Sequence, residues 1–281
     1  MLMCVRYVIS GGLLLLGAFF ARLRFPARGE LWRTAAYGVL TIGLGTGSVS
    51  FAEQWIPSAL TAMIITTQSF WMVGIEALAG GERLHAPSIR GMVIGFVGVV
   101  VLFWPALVLN GTATSGSSSV QSFGITTQQL MWGFAILQFG AAMWAVGSAA
   151  QRKMRSGIHP FVSGGVQQLA TGIAFAIPAW LGPHPGTWTD WTPRGIGAIA
   201  YLTVFGGIVG YSSYIYSMQH LPVALISIYT YVNPIVAVIL GWLFYREPFG
   251  LREAAAMATI FLGVAVIKRT SASVRGSTAP K

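Results

Sequence analysis

Apolar runs of about twenty residues recur along the whole chain with only short polar breaks between them, and this leaves few folds open. One run shows the pattern plainly: the 24 residues from Pro222 to Tyr245 carry no ionisable side chain except tyrosines. Roughly 20 apolar residues suffice for a helix to cross the hydrocarbon of a bilayer. Runs of this kind predict nine spans, at 2 to 21, 34 to 54, 58 to 79, 91 to 109, 130 to 150, 160 to 181, 195 to 217, 222 to 245 and 251 to 268. In lipid the backbone must satisfy its own N–H and C=O groups. The expected fold class is therefore all-α integral membrane, with about nine transmembrane helices.

Only 9% of the residues are charged and 54% are hydrophobic, whereas soluble domains carry about 25% charged residues. The net charge of +10 would suit nucleic acid, yet no stretch interleaves many basic residues with aromatics, so no nucleic-acid partner is expected. Membrane topology accounts for the charge instead. Arg22, Arg24, Arg28 and Arg33 follow the first span; Arg83 and Arg90 the third; Arg152, Lys153 and Arg155 the fifth; Lys268, Arg269, Arg275 and Lys281 the last. These are 13 of the 17 Lys and Arg, all on one face, and the positive-inside rule makes that face cytoplasmic. The other face holds Arg194, Arg246 and Arg252. The C-terminus is then inside and, with an odd number of spans, Met1 outside. Further apolar runs after the first argue against a removable signal peptide. The single cysteine, Cys4, permits no internal disulfide and has no metal-site spacing around it.

Residues 110–129, rich in Gly, Ser and Thr and free of charge, read as an external linker between two halves, 1–109 and 130–268, with a cytoplasmic tail at 269–281. A shift of 165 residues aligns the halves: Gln54 falls on Gln219, Pro57 on Pro222, Leu60 on Leu225, Glu82 on Glu247 and Gly98 on Gly263. The third span maps to the eighth, and an odd step reverses orientation across the membrane. Inverted repeats of this kind build carriers whose site lies near the midplane. The fifth span maps upstream of residue 1, so a partner helix before Met1 is expected to be missing.

The same shift places Gln68 opposite Asn233, each near the middle of its helix. Amides at that depth bind a neutral or zwitterionic solute without the cost of a buried charge; the alternative is interhelical glue. Pro234 removes a backbone donor and leaves the carbonyl of Thr230 without its helical partner, which predicts a polar break there. Glu53, at the outer end of its helix, is either a gate or proton-linked group or a solvated interfacial residue. Glu76 either acts in the membrane, pairs with Arg83 or snorkels. Arg6, at the outer interface, either attracts an anionic group such as a carboxylate or pairs with Glu53. Trp71, Trp144, Tyr211, Tyr214 and Tyr229 form an aromatic cavity wall or simply pack, with Gln138 and Gln167 as further polar candidates. Trp55 and Trp188 read as interfacial anchors. Gly91 and Gly95, in a GxxxG arrangement, and Gly206, Gly207 and Gly210 predict close helix contacts.

Several motifs together resemble the EamA-type transporters of the drug/metabolite transporter superfamily. They are Arg6-Tyr7 opening a Gly- and Leu-rich helix, the run AEQWIPSALTAMI from Ala52 to Ile64, the GER loop at Gly81 to Arg83, Trp144-Ala145 followed by a basic exit, and Asn233-Pro234 followed by the turn Arg246 to Pro248. The resemblance implies ten helices in two inverted five-helix repeats, here without the first helix, and a central cavity between the repeats. It implies a secondary transporter that moves a small metabolite, amino acid or drug-like solute across the plasma membrane by alternating access, often outward, powered by the substrate gradient or by proton exchange. Many relatives carry a proline where Ser69 stands, so a helix break is expected only in the second repeat. No phosphate-binding G-x-x-x-x-G-K-[ST] is present, and neither a cofactor nor a metal is expected. Two other readings are a non-transporting integral membrane protein and a membrane-embedded lipid enzyme. The latter is disfavoured because His85, His159, His184 and His220 are scattered over loops, with no HExxH or G-x-S-x-G motif.

Overall fold

The computed structural model describes residues 1–56, 58–79, 86–108, 127–154, 157–181, 192–245 and 251–277. Every regular element among them is helical. The helices are α1 (Leu2–Phe20), α2 (Arg28–Ala52), α3 (Ser58–Ile65), α4 (Gln68–Leu78), α5 (Ala86–Val108), α6 (Thr127–Lys153), α7 (Pro160–Leu181), α8 (Pro193 to His220), α9 (Val223–Ile226), α10 (Tyr229–Tyr245) and α11 (Leu251–Ser277). Among the described residues four stretches are long and apolar enough to cross a membrane: Leu2–Phe20, Arg28–Ala52, Met131–Lys153 and Gly195–His220. Ala86–Val101, Val223–Val236 and Ala254–Ile267 are apolar but shorter. The chain is an all-α membrane protein.

Most boundaries follow the apolar runs. The linker predicted at 110–129 loses its last three residues to the first turn of α6, and 110–126 lie outside the described residues. The tail predicted from 269 continues α11 to Ser277, past the end of the apolar run, and no Pro lies between Arg269 and Ser277 to interrupt it. In α2 and α8 the backbone widens into π-helical stretches, Val39–Thr46 and Leu202–Tyr211, a feature with no sequence expectation behind it.

The helix breaks differ most from expectation. The predicted eighth span breaks between Ile226 and Tyr229, not at Asn233-Pro234, and α10 runs on through Pro234. The third span breaks as well, between Ile65 and Gln68, although no proline is there. Hydroxyl side chains explain both. Thr67 Oγ1 donates to the Ile64 carbonyl at 2.7 Å and Ser69 Oγ to that of Thr66 at 2.9 Å. Ser227 Oγ likewise donates to Ala224 at 2.9 Å and Thr230 Oγ1 to Ser227 at 2.8 Å. Side chains that bond their own backbone offer the chain an alternative to the α-helical ladder. Around each break the amides turn back by three residues, as in Thr67 N to Ile64 O at 3.1 Å and Thr230 N to Ser227 O at 3.2 Å.

The chain forms two compact units, Met1–Gly47 with Val146–Leu221, and Ser48–Ala145 with Pro222–Lys281. Each draws on both sequence halves, so this spatial division and the sequence duplication are different partitions of the chain. In the first unit α1 lies against α7 at glycine contacts: a Cβ on Gly11 would meet the Leu169 amide nitrogen at 2.5 Å, and one on Gly172 the Val8 nitrogen at 2.7 Å. Ala18, Ile158, Val162 and Val166 form a buried cluster there. In the second unit α5 lies along α11. A Cβ on Gly263 would sit 2.5 Å from Gly95 N, and one on Gly91 would sit 2.8 Å from Gly263 O, so the GxxxG pair of α5 brings the two backbones into contact. The fully buried Tyr231 of α10 fills the notch at Gly95 and donates to the Met92 carbonyl at 3.1 Å. Leu13, Leu16, Ile173 and Ile177 stay exposed, as befits sides turned to lipid.

Candidate functional site

The two breaks of the second unit are bonded to one another. Gln68 Nε2, at the first turn of α4, donates to Tyr229 Oη at the first turn of α10 over 2.7 Å. One residue on, Ser69 Oγ and Thr230 Oγ1 lie 2.6 Å apart and share a hydrogen bond. Gln68, Ser69 and Thr230 are buried, whereas Tyr229 is half-buried. A second chain of bonds leaves the break towards α6. Gln138 Nε2 donates to Thr67 Oγ1 at 2.9 Å, and Gln138 Oε1 accepts from Trp71 Nε1 at 2.8 Å. Seven side chains with complementary donors and acceptors thus meet where both helices are interrupted. This arrangement places exchangeable hydrogen-bond donors and acceptors at both interruptions.

Among the sequence candidates, Gln68, Trp71, Gln138 and Tyr229 come together here. Gln68 bonds Tyr229, one turn before Asn233, instead of the predicted Asn233. Asn233 is exposed, on the same helix face as Tyr229 four residues earlier. An exposed amide at bilayer depth is costly against hydrocarbon and fits a wet space. Pro234 is buried inside α10, and Trp144 is half-buried on α6, a turn and a half beyond Gln138. Glu53 stands exposed just past the end of α2, beside the edge-on Phe51 and Trp55 rings, and partial burial pushes its carboxyl above the ordinary carboxylate range. Glu76 is buried, 6% exposed, which argues against snorkelling, one of its three alternatives; Arg83, the partner named for it, lies outside the described residues.

Arg6, Tyr211 and Tyr214 belong to the first unit. Tyr211 donates to Gln167 Oε1 at 2.6 Å, and Gln167 in turn to Ser163 Oγ at 2.9 Å. Tyr214 Oη and Ser148 Oγ lie 2.6 Å apart. Tyr211 and Gln167 are buried, so these hydroxyls tie helices together inside the unit. The unit's other polar bridge joins Ser10, Gln168 and the Gly207 carbonyl, the last bond being 3.0 Å. Ser10, Thr67 and Gln168 were not singled out from the sequence, and Ser69 and Thr230 entered only for an absent proline and a freed carbonyl, not for their hydroxyls. The signals were a Gln167-Gln168 pair inside an apolar run and hydroxyls three residues apart. Among the described residues no group of three His, Cys, Asp or Glu comes together to hold a metal.

The EamA-like transporter family matches residues 1–104 and 131–269. The inner membrane transporter YedA of Escherichia coli (strain K12), itself uncharacterized, is 26% identical over 264 residues, 94% of this chain and 79% of its own length. The transporter YvbV of Bacillus subtilis (strain 168) is 22% identical over 94% of this chain and 80% of its own. A protein of Escherichia coli (strain K12) named as a probable amino-acid metabolite efflux pump is 27% identical over 51% of this chain and 45% of its own. A solved crystal structure shares the fold at a TM-score of 0.75 and 20% identity, over 97% of this chain and 88% of its own. The chain is a membrane transporter and belongs to the EamA-like transporter family.

Proposed function

We propose that this chain is a secondary transporter of the plasma (inner) membrane that moves a small metabolite, amino acid or drug-like solute outward by alternating access, its C-terminus cytoplasmic. The observation that carries this reading is the bonding of the two broken helices through Gln68 and Tyr229. Discontinuous helices inside a membrane protein are where carriers place their solutes, and irregular backbone at that depth is tolerated where protein or water lines it. Gln68, Trp71, Gln138, Tyr229 and Asn233 offer a neutral recognition surface. Trp144, Tyr211 and Tyr214 serve as aromatic packing around the transport path, and Glu53, Arg6 and Pro234 take part in gating or coupling. The name of the efflux-pump relative supports the outward direction and the solute class. Energy comes from the solute gradient or from antiport against protons.

The test is flux in proteoliposomes over a broad metabolite panel, with outward counterflow compared with inward uptake, with and without a pH gradient. Gln68→Ala and Asn233→Ala are expected to lower flux several-fold while folded yield stays near normal. Full flux in both variants would show that this polar cluster does not handle the solute.

A further inference from the structure

Helix α1 closes with a turn that ordinarily uses glycine. Leu23 N donates to the Ala18 carbonyl and Arg22 N to that of Phe19, each at 3.0 Å. Leu23 also packs on the buried cluster of Ala18, Ile158, Val162 and Val166, which fixes the turn to α7. This pair of bonds, with its apolar contact, requires a left-handed residue just past the helix cap, usually glycine. Here that residue is Arg22, at φ 52°, the one non-glycine with positive φ among the described residues. A side chain is strained in that conformation. Arg22 is exposed and bonds no other side chain among the described residues, so no contact within the fold offsets the strain.

The surface around the turn is cationic and aromatic. Arg24 and Arg28 are exposed within seven residues of chain that begin at Arg22, and Arg33 follows in α2. Glu30 is the one acid between Arg22 and Arg33, and among the described residues it forms no ion pair with any of them. Phe25 is exposed beside Arg24, and the apolar run ends at Phe20, 75% exposed, while Trp32 is 77% exposed. Aromatic rings at the end of a membrane span lie at headgroup depth. Basic clusters next to a span are drawn to anionic leaflets, and the guanidinium fork matches the oxygens of a phosphate. We propose that the turn between α1 and α2 is a binding site for an anionic phospholipid. Arg22, Arg24 and Arg28 hold the headgroup phosphate, and Phe20, Phe25 and Trp32 lie beside the glycerol and acyl chains. The site requires only that the chain sits in a membrane and is independent of the transporter reading.

The purified full chain in dodecyl maltoside is titrated with dioleoyl phosphatidylglycerol or dioleoyl phosphatidylcholine, and native mass spectrometry reads the lipid that stays bound. Phosphatidylglycerol is expected to bind about tenfold or more tighter than phosphatidylcholine, since each basic residue near an anionic surface is worth about fivefold. Arg22→Gly, Arg24→Gln and Arg28→Gln are each expected to weaken phosphatidylglycerol about fivefold and to leave phosphatidylcholine unchanged. Glycine takes the left-handed conformation freely, so Arg22→Gly preserves the turn, and its unfolding midpoint in phosphatidylcholine is expected at or above that of the wild type. Arg90→Gln removes an exposed arginine at the start of α5 and is expected to change neither affinity. A wild-type chain with no preference for phosphatidylglycerol, or a preference that survives Arg22→Gly, overturns the proposal. An equal loss in Arg90→Gln overturns it in favour of diffuse attraction to the whole basic face. A lower midpoint for Arg22→Gly in phosphatidylcholine overturns it by tying the side chain to the fold. Displacement of bound phosphatidylglycerol by excess inorganic phosphate would make the ligand a soluble anion, and that outcome overturns it too.

Discussion

Gly263→Ala adds one methyl at the tightest point between α5 and α11. In the structure that methyl would lie 2.5 Å from Gly95 N, 2.6 Å from Gly91 O and 2.8 Å from Gly95 Cα, all backbone atoms that cannot rotate away. Ordinary carbon contacts need about 3.5 Å, so the helices must part by roughly 1 Å, and a gap of that size forfeits about a quarter to a half of each neighbouring contact. Overpacking of this kind costs about 1 to 3 kcal/mol. Against it stands the helix preference for alanine over glycine, about 1 kcal/mol. The control separates the two effects, since a Cβ on Gly74 of α4 meets nothing within 4 Å. Gly74→Ala should therefore be neutral to about 1 kcal/mol more stable, and Gly263→Ala about 1 to 3 kcal/mol less stable than that control. Unfolding in mixed micelles of rising SDS fraction, followed by tryptophan fluorescence, measures the difference. Identical midpoints for the two variants would refute the claim that backbone contact at Gly263 holds these helices together.

Three further outcomes are expected. Gln168→Leu removes the donor to the Gly207 carbonyl and leaves the buried Ser10 hydroxyl only the Tyr7 carbonyl at 3.5 Å, and should lower stability by about 1 to 3 kcal/mol in the same assay; wild-type stability would show that bridge to be idle. A double-mutant cycle of Ser69→Ala and Thr230→Val should return a coupling of about 0.6 kcal/mol, the average for hydrogen bonds between membrane helices, and strictly additive losses would argue against a direct bond. In a Cys4→Ser background, single cysteines placed after Ala79 and after Tyr245 should label from opposite sides of the membrane; labelling from one side would end the inverted arrangement of the repeats.

The helices were legible because lipid imposes one crude requirement, twenty apolar residues in a row, and the chain meets it repeatedly. The breaks were half-legible. Proline was the signal sought, but hydroxyls bonding their own carbonyls interrupt both helices, and Thr67, Ser69, Ser227 and Thr230 look unremarkable in an apolar run. The pairing of Gln68 was missed for a measurable reason. α3 and α9 begin 165 residues apart, at Ser58 and Val223, which is why that shift aligns the flanks. Yet α3 has 8 residues and α9 only 4, so the segments after the breaks begin 161 residues apart. The difference is about one helical turn, and it moves the partner of Gln68 from Asn233 back to Tyr229. Arg6 and the glycines were visible as residue types, but the space that Gly206 leaves for the Arg6 guanidinium, where a Cβ would come within 2.7 Å of Nη2, depends on a π-helical turn that no sequence pattern announced.

The interrupted helices of the second unit donate their own hydroxyls to carbonyls beside each interruption, those of Ile64 and Thr66 in one and of Ala224 and Ser227 in the other. A carrier whose broken helices depended on the cargo to cap those carbonyls would be penalised whenever it stood empty. Here Ser227 Oγ caps the Ala224 carbonyl, whose own amide partner Ile228 N has turned to Leu225, so part of that penalty is met by the protein's own side chain whether or not a solute is bound.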